Sequence, residues 1–179
     1  MLLLGCRPQG RLTEQHDIFF GIGNELKDLL PDIKAFWPEA QGNIHLDAWR
    51  EVNVVDSYSV QIVERKKALP VNSTKLFFIN LGGYKQGDFE EYHYKMLAAA
   101  INKDEATKIA KQTTFFKHTG FKGASAHVDD KYGIDVDDMY EIKDILPEKY
   151  KQQYAIVLSP AGLINEDELH LGYLRLYKI

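Results

Sequence analysis

The chain repeats itself, and that constrains its fold more than anything else in it. Leu4-Gly5 is matched by Leu81-Gly82, Gly10 by Gly87, Glu14 by Glu91 and His16 by His93, each pair 77 positions apart. Further on, His45-Leu-Asp47 is matched by His127-Val-Asp129, and Val54, Asp56 and Tyr58 by Val136, Asp138 and Tyr140, now 82 apart. A five-residue insertion in the second copy therefore separates the two blocks. Self-similarity at a fixed spacing means two like supersecondary units, each too small to bury its own apolar face well. The 179 residues divide into a first repeat at 1–63, a linker at 64–75, a second repeat at 76–146 and a C-terminal tail at 147–179.

Within one copy, hydrophobic period assigns the elements. Leu76 to Leu81 is a buried-strand pattern ended by Gly82-Gly83, read as a tight turn. A helix is expected next, with Thr13 as N-cap and apolar residues at Ile18, Phe19, Ile22, Leu26, Leu29, Leu30 and Ile33. Pro31 would kink or interrupt it. The second copy offers Met96, Leu97, Ala100, Ile101, Ala106, Ile109 and Ala110. Ile44 to Ala48 then alternates as a strand, with His45 and Asp47 on one face, and Val52 to Ile62 alternates as another. The expected fold class is α+β: two tandem β-α-β-β repeats packed with pseudo-twofold symmetry, as a dimer within one chain. The tail contains β structure, since Leu169 to Ile179 alternates.

Four of the six histidines fall on repeat-matched positions: His16, His45, His93 and His127. On a strand, residues two apart point the same way, so His45 acts with Asp47 and His127 with Asp129. On the expected helix, Glu14 and His16 would not share a face, so His16 and His93 are preferred to the glutamates. The glycine turns at Gly5 and at Gly82 and Gly83 would present free backbone N–H groups to an anion. The expected ligand-binding set is thus Gly5, His16, His45, Asp47, Gly82, Gly83, His93, His127 and Asp129, with no metal assigned and the cofactor unknown.

The leading functional expectation is a small anionic ligand in repeat-related pockets. A metal-dependent or His/Asp acid–base enzyme is the alternative, and satisfied structural histidines in an assembly module are the third reading. Cys6, the one cysteine, excludes an internal disulfide; as a helix-terminal thiol it could be activated, and otherwise it is a small buried hydrophobe. A net charge of −4 disfavours nucleic acid and anionic membranes as partners. The longest apolar run, Met96 to Ile101, is too short for a membrane helix. With no signal-peptide pattern, a cytoplasmic location is expected.

The combination of Leu-Gly-Gly, Glu-x-His and a downstream His-x-Asp resembles an uncharacterised bacterial family, the domain-of-unknown-function family 1543. The resemblance covers roughly Leu2 to Val63 and Lys75 to Leu146. It implies one or two copies of a domain per chain, and no activity, substrate or catalytic residue.

Overall fold

A computed structural model describes residues 1–67, 73–85, 87–113, 134–162 and 165–179, with the backbone alone at Ile134, Asp135 and Asp137. Strand β1 (Leu2–Cys6) turns back into β2 (Gln15–Phe19), with Gly10 between them at φ +82°, a left-handed conformation that glycine adopts freely. The helix expected from Thr13 is therefore not there. Gln15 to Phe19 pairs residue for residue with β1, and strand pairing overrides the helical spacing. That spacing does hold further along. A 3-10 turn (Leu26–Leu29) leads into α1 (Leu30–Phe36), with Leu29 and Ile33 buried. Pro31 sits in the first turn of α1, where its missing N–H costs nothing, so it starts the helix and does not kink it.

β3 (His45–Trp49) follows, as its alternation predicts. The single strand expected over Val52 to Ile62 is instead a hairpin of β4 (Val54–Val55) and β5 (Tyr58–Glu64). Its turn carries Asp56 at φ +53°, a conformation that aspartate tolerates. The Asp56 carboxylate accepts from the N–H of Ala99 at 2.8 Å.

The second half begins with two ten-residue strands, β6 (Lys75–Tyr84) and β7 (Glu91–Ala100). Gly82 and Gly83 are thus strand residues and not a turn, and the helix expected to begin at Met96 is strand as far as Ala100. Helix α2 (Lys103–Ala110) starts only at Asn102, whose side chain accepts from the Glu105 N–H at 2.9 Å. The Glu105 carboxylate in turn accepts from the Ile101 N–H at 2.7 Å, one residue before the cap. Then come β8 (Ile134–Glu141), α3 (Ile142–Ile145), α4 (Glu148–Gln153), β9 (Tyr154–Pro160) and β10 (His170–Arg175). No helix among the described residues is long and apolar enough to cross a membrane.

The described strands form three antiparallel sheets, ordered β10-β3-β1-β2, β4-β5-β9 and β7-β6-β8. A central core joins all three: Ile18 and Phe20, Val55 and Val60, Leu76 and Phe78, Leu97, Ile142 and Leu158. Phe20 meets Phe78 edge-on at 5.6 Å across it. On the far face of the first sheet, Leu2, Leu4, Cys6, Phe19 and Leu46 pack with Ile33 of α1. On the far face of the third, Phe77, Ile79 and Leu81 pack with Ala106 and Ala110 of α2.

The two outer sheets share a register. β1 pairs with β2 as β6 pairs with β7, every partner displaced by 77: Gly5 faces His16, and Gly82 faces His93. On the other side, Gly5 faces His45 and Gly82 faces Asp135, with one extra residue bulged out next along in each, Asp47 and Asp137. Of the residues matched 82 apart, those described do not correspond in space. β8 stands where β3 stands, whereas its sequence partners Val54 to Tyr58 form a hairpin in another sheet. Among the described residues the order of elements is strand, strand, helix, strand in both halves, not β-α-β-β.

Candidate functional site

Gly5 is the centre of the site. It lies mid-strand, between His16 on β2 and His45 on β3. A Cβ there would stand 2.5 Å from an Asp47 carboxylate oxygen and against His45 Nε2. Only glycine leaves the room that these two side chains occupy. Leu46 faces the buried side of the sheet, so His45 and the bulged Asp47 point the other way, over Gly5. Glu14 and His16, two apart on extended chain, share that face.

Four side chains converge. His45 Nε2 lies 3.0 Å from Glu14 Oε1 and 3.3 Å from Asp47 Oδ1. His16 Nε2 lies 3.2 Å from Asp47 Oδ2 and 3.8 Å from Glu14 Oε2. His45 is buried, Asp47 partly so, and Glu14 and His16 are exposed. The contacts are close but poorly aligned: His45 Nε2 and Asp47 Oδ2 are both buried without a hydrogen-bond partner. Tyr173 of β10 covers His45, ring centroids 4.4 Å apart. At the other end of β3, Trp49 stacks on His170 at 3.9 Å. Among the described residues, no three or more histidine, cysteine, aspartate or glutamate side chains form a ready-made metal site.

Of the expected residues, the structure brings together Gly5, His16, His45 and Asp47. In the second half, Gly82 and the exposed His93 hold the corresponding register positions. Gly83 pairs with Tyr92, the counterpart of Cys6 opposite Gln15. His127 and Asp129 lie outside the described residues. The glycine cradle for an anion is corrected. Gly5, Gly82 and Gly83 sit in the middle strands of their sheets, with ladder partners on both sides, so they are not a strand-to-helix turn with free N–H groups. Cys6 is buried, and burial, then Glu14 and Glu39, push its thiol up. It is a core residue and no activated nucleophile.

Sequence reasoning missed Glu14 and Tyr173. The expected helix ranks Glu14 below His16, although the spacing Glu14-x-His16 is the same as that of His45-x-Asp47. Tyr173 carries no local signal, since β10 meets β3 from more than a hundred residues away.

The comparisons agree with this picture at the level of the fold. The chain is similar to the crystal structure of protein Il1583 from Idiomarina loihiensis, with a TM-score of 0.65 at 20% identity over 98% of this chain and 94% of that one. No curated protein matches. Residues 11–62, which include Glu14, His16, His45 and Asp47, match the model of the Domain of Unknown Function family DUF1543.

Proposed function

We propose that the Glu14, His16, His45 and Asp47 cluster binds a small cation. The observation that carries this reading is the pair of buried, unpartnered atoms, His45 Nε2 and Asp47 Oδ2. Two carboxylates and two imidazoles face one another within 3.0–3.8 Å. Where Nε2 carries no proton, imidazole nitrogen and carboxylate oxygen meet as acceptor against acceptor, and a cation among them would join groups that otherwise repel. A buried acceptor without a donor is costly as well. The anion expected from the sequence would add a negative charge to two others, without the backbone donors it was to use.

A divalent metal ion suits the donor set, two nitrogens and two oxygens. Metal–ligand bonds of about 2.0–2.2 Å set tetrahedral donors about 3.4 Å apart; here the close contacts run to different oxygens of each carboxylate, so the shell is not preformed. Entry of an ion requires the exposed Glu14 and His16 side chains to turn, while His45 stays under Tyr173. An organic ammonium offers the same charge with hydrogen-bond donors. The common register of β2-β1-β3 and β7-β6-β8 supports reading the halves as a tandem pair, in which Asp135 takes the place of His45.

The test is thermal unfolding and calorimetry with Zn²⁺, Mn²⁺ and 1,4-diaminobutane, against phosphate as the anion. At about a hundredfold excess over Kd, one bound cation adds roughly 2.7 kcal/mol. His45→Ala and Asp47→Asn are expected to lose that shift. Metal or amine binding identifies the source of the charge. Binding of phosphate alone, or of nothing, overturns the reading.

A further inference from the structure

A cavity of about 730 Å³ opens beside the central core, at the end of the first sheet away from Gly5. Its walls include Phe20, Val60, Leu76, Ile142 and Leu146, which are also core residues. Protein interiors pack at nearly crystalline density, and a space of this size, lined by apolar side chains with a few polar groups, has the dimensions of a small-molecule site.

The polar groups around it are mostly engaged. Lys27 pairs with Glu25 at 2.7 Å. The Glu51 carboxylate accepts from the Asn53 side chain at 3.0 Å. Asp167, nearby, accepts from the N–H groups of Asn53 and Val54 at 2.8 and 3.0 Å. Arg50 is different. It lines the cavity and is half-buried, and among the described residues its guanidinium makes no hydrogen bond or ion pair. Its charge is felt on the same wall. Burial, then Arg50, push the Met1 amino group down to about 5. That amino group donates to the Arg50 carbonyl at 3.0 Å.

We propose that this cavity binds a small amphipathic anion, an apolar chain ended by a carboxylate, with the chain against Phe20, Val60, Leu76 and Ile142 and the head group on Arg50. A guanidinium pairs with a carboxylate through two parallel hydrogen bonds, and the apolar part of the wall favours a hydrocarbon chain behind that head group. The site is separate from the cation cluster, and the two proposals stand or fall independently.

Decanoate and decanol are suitable probes, read by calorimetry and by the fluorescence of Trp49, which lines the cavity. Decanoate is expected to bind one to one and at least tenfold more tightly than decanol. Arg50→Gln is expected to remove that preference and to leave decanol affinity unchanged. Ile62→Trp, at a half-exposed wall position, is expected to block both probes while the circular dichroism spectrum stays native. The proposal is overturned if decanoate does not bind, if decanol binds as tightly, or if Ile62→Trp folds normally and binds both as before.

Discussion

Gly5 shows what one hydrogen in place of a side chain does. His45 and Asp47 lie across it, in the volume a Cβ would need. Gly5→Ala is therefore expected to cost about 1–3 kcal/mol, the usual penalty for overpacking a filled site, and to abolish cation binding. Urea denaturation measures the first effect. A change within about 0.5 kcal/mol would mean that both side chains move aside freely, and the site would not depend on the glycine. The pairing of His45 with Asp47 was legible in the sequence, because alternation on a strand is a local property. The contribution of Glu14 was not, because it depended on whether residues 13–19 were helix or strand, and their apolar spacing suits both.

Ambiguity of that kind recurs at the level of elements. Leu26, Leu29, Leu30 and Ile33 have helical spacing and form helical turns. Ile18 and Phe19 fit the same periodicity and are strand, because β1 offers a pairing partner. The short α1 is held from outside. The Tyr150 hydroxyl on α4 donates to Asp32 at 2.6 Å, and Lys149 reaches the same carboxylate at 2.7 Å. Burial, then the Asp32 hydrogen bond and charge, push the Tyr150 hydroxyl far above its usual range. A group whose folded pKa is raised contributes fully below its unfolded pKa, so this contribution is intact below about pH 10 and drains away as pH rises further. Tyr150→Phe is expected to cost about 1.5–3 kcal/mol, the range for a hydrogen bond to a charged group. It should also flatten the loss of stability above pH 10, measured by denaturation midpoints across pH. An equal alkaline loss in the variant would show that Tyr150 is not its source.

At the scale of the whole molecule, the tail is structural. β9 pairs with β5 from Tyr58↔Pro160 to Glu64↔Tyr154, and β10 closes the first sheet against β3. Leu176, just beyond β10, is buried in the cluster beneath α1. Removing residues 170–179 would leave β3 as an open edge, a template for pairing with other chains, and would uncover His45. The truncated protein is expected to aggregate, or to elute larger on gel filtration, with a broadened unfolding transition. A monomer of unchanged midpoint would mean that β10 only lies against a sheet complete without it. Sequence by itself determined the local features: which stretches alternate, where Leu26 to Ile33 turns helical, the spacing of His45 and Asp47, and the paired positions 77 apart that reappear as one register in two sheets. Tertiary structure alone decided which strand pairs with which, that Gly5, Gly82 and Gly83 sit mid-strand, that Glu14 joins the site and that Tyr173 covers it. The physical reason is range: periodicity is written within a few residues, whereas a strand acquires its partner, and a side chain its neighbours, from segments up to a hundred or more positions away.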